Sequence, residues 1–157
     1  LSILKVPESN IFRIRGEKVP ENEVLRYSKT MYETLPLRNG FPVFDMIYLG
    51  VGKDGHTASL FPMSEQLDEK EKAAVVSVSP ENGRKRITLT LPVICNAERI
   101  IFLVTGVDKR EIVRKICKHE NEDPNLPASM VRTQNGTIEW YLDSVAWSSW
   151  EQDSDVF

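Results

Sequence analysis

Apolar residues recur along this chain with two spacings, one typical of strands and one typical of helices. Five short apolar or alternating runs predict strands: "VFDMIYLG", "AAVVSVS", "RITLTLPV", "RIIFLVTG" and "GTIEWYLD". Two longer stretches place apolar residues on one helical face: "PENEVLRYSKTMYETL" and "VDKREIVRKICKHE". Strands that alternate with helices indicate an α/β fold with a mostly parallel sheet and flanking helices. Ligands of such sheets bind at the carboxyl ends of the strands.

Composition limits the classes of function. The chain has 157 residues, enough for one domain with a sizeable core, and its net charge of -3 gives no general case for a nucleic-acid partner. No apolar run is long enough to cross a bilayer, so we expect no membrane partner. The first residues lack the features of a secretory signal peptide, and we expect a cytoplasmic location. Cys95 and Cys117 are predicted to be free thiols, and no cysteine–histidine spacing predicts a metal site.

A glycine-rich loop follows the strand predicted at "VFDMIYLG". Gly50, Gly52 and Gly55 in "YLGVGKDGHTASLFP" match the G-x-G-x-x-G spacing of dinucleotide-binding turns. Such a turn opens a long helix, whereas Pro62 would end a helix begun near His56 after about two turns. The P-loop pattern for phosphate binding is not matched either. We therefore expect no cofactor.

His56 and Asp54 are the candidate catalytic residues of this loop. Histidine suits proton transfer near neutral pH because its unperturbed pKa is about 6.5. A carboxylate two residues away can orient the imidazole or hold a substrate hydroxyl. The residues alone leave a second interpretation open, in which His56 makes only local hydrogen bonds. The other histidine, His119, ends the second predicted helix and favours a charge interaction with the helix C-terminus.

Lys109 is a candidate ligand for an anionic group. With Asp108 as the predicted N-cap and Glu111 three residues on, Lys109 would lie in the first helical turn. A positive charge there opposes the helix dipole at a cost of about 0.3–1 kcal/mol. A phosphate at that terminus would remove the conflict, since the dipole and the lysine both attract it. The alternative is that solvent screens the lysine.

The stretch "LGVGKDGHTASLFP" closely resembles the signature of the 6-phosphogluconolactonases. These pentose-phosphate-pathway enzymes hydrolyse 6-phosphoglucono-δ-lactone, and they belong with the glucosamine- and galactosamine-6-phosphate isomerases. The resemblance continues in "FPVFD", "RITLTLPVICNAERIIFLVTGVDKREIV" and "LPASMVRTQNGTIEWYLDSVAW", in order along nearly the whole chain. It implies a Rossmann-like fold, a phosphorylated sugar lactone as small-molecule partner, and a hydrolase without a cofactor.

The resemblance also implies roles for individual residues. His56 matches the histidine that the family uses for proton transfer, here as general acid and base on the attacking water. Asp54 matches the motif aspartate, which would orient His56 or bind sugar hydroxyls. Four further positions match residues that would contact the substrate or its phosphate: Gly52, Gly55, Lys109 and Arg86.

The beginning of the chain departs from the family pattern. A full-length member carries a glycine-rich Ser/Thr loop for the phosphate and a "DER" segment, and neither is present in this sequence. We therefore interpret 1–157 as the C-terminal portion of a single 6-phosphogluconolactonase-like domain, with 148–157 as a frayed tail. Such a portion would expose a sheet edge through which it could associate. Two other functions stay open: an amino-sugar-6-phosphate isomerase or deaminase, and a non-catalytic sugar-phosphate-binding module.

Overall fold

The structure, a computed structural model, describes residues 5–118, 123–133 and 135–147. The α-helices are α1 (Pro20–Thr34), α2 (Leu91–Ile94), α3 (Arg110–Lys118) and α4 (Ser144–Trp147). The strands are β1 (Leu37–Arg38), β2 (Phe41–Pro42), β3 (Ile47–Leu49), β4 (Ala74–Val78), β5 (Lys85–Leu89), β6 (Arg99–Val104) and β7 (Thr137–Leu142). His119 and the predicted tail 148–157 lie outside the described residues. No helix in the described part is long and apolar enough to cross a membrane.

The three-stranded sheet β3-β6-β7 is parallel throughout, with β6 in the centre. This arrangement confirms the α/β fold with a parallel sheet that the alternation of strands and helices predicts. The central strand is the most buried, because Ile100 and Phe102 are fully enclosed. The ring of Phe102 stacks on Trp140 of β7 with centroids 4.1 Å apart. Val113 of α3 completes this core from one side of the sheet.

The other side of the same sheet is only partly covered in the described part of the chain: Ile101 on it is 4% exposed, but three other side chains are open to solvent. Tyr48, Leu103 and Tyr141 alternate with the core residues of their strands, and each is at least half exposed. Arg99 and Glu139 form a bidentate ion pair on this side, with N–O distances of 2.5 and 2.7 Å. These five residues, without Ile101, are called the open face below.

The strands β4 and β5 form a separate antiparallel ribbon. The sequence predicts both strands, but it does not show that they pair with each other instead of extending the parallel sheet. The tight turn between them explains the pairing. The backbone N–H of Ser79 donates to the carbonyl oxygen of Arg84 at 2.9 Å, and that of Gly83 donates to the carbonyl oxygen of Ser79 at 2.8 Å. The ribbon packs against α1, and one of its faces lines the cavity described below.

Helix α1 begins at Pro20, as predicted, and it anchors the extended segment before it. Glu23 is only 2% exposed. Its carboxylate accepts a hydrogen bond from the backbone N–H of Arg15 at 2.7 Å and pairs with Arg26 at 2.5 Å. Arg26 in turn donates to the carbonyl oxygen of Arg13 at 3.0 Å. One buried carboxylate therefore fixes how residues 13–15 lie against the helix.

Candidate functional site

The loop after β3 holds Asp54 and His56 as a hydrogen-bonded pair. Asp54 Oδ1 lies 2.6 Å from His56 Nδ1 and also accepts the backbone N–H of His56 at 3.1 Å. The backbone N–H of Gly52 donates to the carbonyl oxygen of His56 at 2.8 Å, and that of Gly55 donates to the carbonyl oxygen of Gly52 at 3.0 Å. The loop therefore closes on itself and orients the imidazole through contacts within a few residues.

Two glycines of this loop are required by close packing. A Cβ at position 52 would lie 2.1 Å from His56 Nδ1 and 2.5 Å from Asp54 Oδ1, so a side chain there would displace the pair. Gly55 has a φ of +85°, and a Cβ there would lie 2.9 Å from Leu126 Cδ2. The space that Gly52 leaves is thus filled by the catalytic candidates themselves.

The Asp54–His56 contact favours an ionised Asp54 and fixes which ring nitrogen of the neutral imidazole carries the proton. Partial burial raises the pKa of Asp54, but hydrogen bonds from the backbone N–H and the ring of His56 outweigh it, so the pKa lies below its ordinary value. An ionised carboxylate only accepts hydrogen bonds, so in the neutral imidazole Nδ1 carries the proton. The lone pair of His56 is then on Nε2, for which the described residues offer no hydrogen-bond partner. The arrangement leaves Nε2 available as a base.

No long helix follows the loop. After His56 the chain turns through a bridge between Thr57 and Leu60, and the next helical segment is a 3-10 turn at Glu65–Asp68. A dinucleotide-binding turn needs a helix N-terminus directly after its glycines. The three glycines therefore do not form such a turn.

A cavity of about 540 Å³ opens beside the loop and brings together residues from three parts of the chain. The histidine loop, the β4–β5 ribbon and the turn after β6 contribute the predicted residues Gly52, Asp54, His56, Arg86 and Lys109. Gly55 is buried behind the loop and does not line the cavity. Ser59, Ser79 and Glu81 also line it, and sequence reasoning missed all three.

Lys109 reaches the cavity from a position that differs from the prediction. Asp108 is not an N-cap, because a 3-10 turn at Val107–Lys109 precedes α3 and contains it. The turn starts at Gly106, whose φ is +99° and whose N–H donates to Asp143 Oδ2 at 3.0 Å. Asp108 instead pairs with Lys53 of the histidine loop at 3.3 Å. Lys109 still lies directly before the first residue of α3, at the positive end of its dipole.

Arg86 lies on the ribbon face that meets the histidine loop. It is opposite Ser77 in the register of β4 and β5, and directly opposite residues of an antiparallel pair share a face. The adjacent Lys85 points to the other face, where it pairs with Glu21 of α1. Arg86 is exposed, and no described residue offers it a hydrogen bond or an ion pair. Its guanidinium is therefore available to an anion in the cavity.

Nothing in the described ranges suggests a metal centre. No group of three or more histidine, cysteine, aspartate or glutamate side chains there could hold an ion. Cys95 is half-buried, Cys117 is exposed, and neither forms a disulfide within those ranges. Although Cys117 is exposed as a residue, partial desolvation of its thiol raises the pKa above its ordinary value, which disfavours the thiolate.

Comparison with known proteins leads to one family. The family described as "Glucosamine-6-phosphate isomerases/6-phosphogluconolactonase" matches residues 1–140. A curated 6-phosphogluconolactonase of Haemophilus influenzae is 43% identical over 143 residues, which make up 91% of this chain and 60% of the relative. The 6-phosphogluconolactonase of Homo sapiens is 41% identical over 147 residues, which make up 93% of this chain and 56% of the relative.

Solved structures show the same likeness. The solved structure described as "Crystal Structure of devB protein" aligns with this chain at a TM-score of 0.87 and 43% identity. The alignment covers 92% of this chain and 60% of the devB chain. The chain thus spans about 60% of the length of the proteins that it matches.

Proposed function

Because this chain belongs to the family of glucosamine-6-phosphate isomerases and 6-phosphogluconolactonases, we propose that its protein hydrolyses 6-phosphoglucono-δ-lactone to 6-phosphogluconate. The observation that carries this proposal is the Asp54–His56 pair, which lines a cavity that also holds two cations, Arg86 and Lys109. The base suits the hydrolysis of an uncharged ester bond, and the two cations suit a phosphate carried by the same molecule. A cytoplasmic location stays a prediction from the sequence.

The proposed reaction needs one base that later acts as an acid. His56 Nε2 takes a proton from water while the water oxygen bonds to the lactone carbonyl carbon, whose π electrons move to the carbonyl oxygen. The tetrahedral intermediate then re-forms the carbonyl and breaks its bond to the ring oxygen, which takes the proton from the imidazolium. Asp54 stabilises that imidazolium and keeps Nδ1 protonated. Water is consumed, one C–O bond forms and one breaks.

The two cations would bind the phosphate of the substrate. Arg86 suits a phosphate because its guanidinium offers donors in a fork and has no partner among the described residues. Lys109 lies beside the N-terminus of α3, where the dipole adds to its attraction for an anion. Binding at the phosphate would place the lactone ring against His56 and thereby lower the entropy cost of the reaction.

The test is the hydrolysis of freshly generated 6-phosphogluconolactone against its spontaneous rate, with the protein at its full native length. We expect His56→Ala to lower kcat by roughly 10²- to 10⁴-fold, since that is the usual contribution of a general base. Asp54→Asn should also lower kcat, because an amide neither fixes the tautomer nor stabilises the imidazolium. Asp68→Asn, at an exposed aspartate outside the cavity, is the matched control and should leave kcat unchanged.

The two alternative functions give different results in the same test. A deaminase would release ammonia from glucosamine-6-phosphate and leave the lactone at its background rate. A binding module would be stabilised against heat by 6-phosphogluconate without accelerating either reaction. Full lactonase activity in His56→Ala would contradict the proposed role of the histidine.

A further inference from the structure

Strand β4 leads to two serines on one face of the ribbon, and only one of them has a partner for its hydroxyl. Ser77 and Ser79 are two residues apart, so their side chains point to the same side. Ser77 is 1% exposed, and its Oγ donates to the carbonyl oxygen of Ser59 at 2.7 Å. Ser79 is 5% exposed, yet no described residue makes a hydrogen bond with its hydroxyl.

The remaining polar groups of Ser79 are already used. Its backbone N–H donates to Arg84 and its carbonyl oxygen accepts from Gly83, and these bonds close the turn between β4 and β5. The Ser79 hydroxyl oxygen is not fully sealed from solvent. The residue lines the cavity that contains His56. The hydroxyl therefore keeps its access through that cavity. A hydroxyl that reaches the cavity and has no partner among the described residues is available to hydrogen-bond a ligand there.

The position of Ser79 in the ribbon relates it to Arg86. Arg86 is directly opposite Ser77, so Ser79 is its diagonal neighbour across the strands, at a Cα distance of about 7–8 Å. A separation of this size is within reach of a long side chain. Both residues line the same cavity, and both lack a partner in the described part of the chain. A guanidinium and a hydroxyl without protein partners thus line one cavity from diagonal positions of the ribbon.

We propose that the Ser79 hydroxyl donates a hydrogen bond to a phosphoryl oxygen of the substrate, next to Arg86. The inference rests on the proposed function, since that function supplies a phosphorylated sugar. Donation to a charged oxygen is roughly twice as strong as donation to a neutral one, so Ser79 favours phosphorylated over unphosphorylated ligands. Glu81, an exposed carboxylate on the same turn, adds negative charge at the cavity, and the positive charge of Arg86 opposes it.

The experiment measures the dissociation constants of 6-phosphogluconate and of gluconate by calorimetry, with the protein at its full native length. We expect Ser79→Ala to raise Kd for 6-phosphogluconate by about tenfold or more, the range for a hydrogen bond to a charged group. The Kd of gluconate should change by less than about twofold, because gluconate has no phosphate for the hydroxyl to bind. An equal loss for both ligands, or no loss for either, overturns the proposal.

Ser77→Ala is the matched control, because it removes a hydroxyl from the same face that already has a protein partner. It should lower Tm and leave the ratio of the two dissociation constants unchanged, whereas Ser79→Ala should leave Tm nearly unchanged. Binding needs no turnover, so the result is separate from the proposed function. A protein that binds 6-phosphogluconate through Ser79 but leaves the lactone at its background rate would refute the lactonase proposal alone. A wild-type protein that does not bind 6-phosphogluconate would refute both.

Discussion

The Asp54–His56 pair occupies space that any side chain at position 52 would take. The hydrogen bond of 2.6 Å between the pair and the projected Cβ contact of 2.1 Å at Gly52 involve the same ring nitrogen. Real Cβ atoms essentially never approach another heavy atom so closely, so the pair and an alanine at 52 exclude each other. At the scale of single residues, the reactive geometry therefore depends on one absent methyl group.

We expect Gly52→Ala to lower kcat nearly as far as His56→Ala does, because the imidazole must turn away from Asp54. The measurement is lactone hydrolysis together with Tm, since the loop lies at the surface and the fold should persist. Gly50→Ala is the matched control: it lies in the same loop, and a Cβ there meets nothing within 4 Å. Activity in Gly52→Ala equal to that of Gly50→Ala would contradict this account.

The sequence predicts the loop residues of the site and the two cations, but it misses the serines that only the folded ribbon and loop bring to the cavity. Asp54 and His56 are two positions apart, so their contact needs only a short turn and can be predicted from the stretch "GKDGH". Ser79 gives no such signal, because a serine in an alternating strand is ordinary and only the register with Arg86 brings it to the cavity. For Asp108 the sequence pattern predicts a helix N-cap that the structure does not contain. Asp108 lies inside a 3-10 turn, and its carboxylate pairs with Lys53.

Helix α1 holds the extended segment before it through its buried carboxylate. The Arg26 guanidinium hydrogen-bonds Glu23 and holds the pKa of that carboxyl at about 2, although burial acts in the opposite direction. A pKa below the ordinary value means that the pairing stabilises the fold above about pH 4.5 and is lost as the pH falls towards 2. At the scale of the element, the attachment of residues 13–15 to α1 is thus sensitive to acid.

We expect Glu23→Gln to lower the free energy of unfolding at pH 7 by about 2 kcal/mol, the typical value of a hydrogen bond to a charged group. The difference from wild type should shrink as the pH falls from 5 to 2, because protonation removes the same charge. Urea unfolding at a series of pH values measures both effects. Glu33→Gln, at a largely exposed glutamate of the same helix, should change stability by less than about 0.5 kcal/mol. A pH-independent difference at Glu23 would show that its charge is not the cause.

The open face presents three exposed apolar or aromatic side chains on one side of the parallel sheet. Tyr48 and Tyr141 are 62% and 52% exposed, and Leu103 between them is 50% exposed. In the described part of the chain, β3 and β7 also each have one side without a strand partner. A sheet with an apolar face and unpaired edges tends to bind another surface. At the scale of the whole molecule, association of the 157-residue chain by itself therefore stays a prediction.

We expect the isolated chain to bind a hydrophobic dye and to sediment partly as oligomers, and Leu103→Lys to reduce both. The lysine would put a charge in the middle of the open face without disturbing the core on the other side. Leu25→Lys, at a leucine that is 70% exposed on α1, is the control and should change neither. A monomeric wild-type chain that binds no dye would contradict the prediction.

The histidine loop makes its orienting hydrogen bonds within its own few residues, whereas the cations that accompany it come from a distant ribbon and a distant turn. The orientation of the imidazole thus depends on one short stretch of sequence, whereas the charges that line the cavity come partly from residues far from it in the chain. Within this architecture, substitutions in the ribbon can change the charges that line the cavity and leave the Asp54–His56 pair intact.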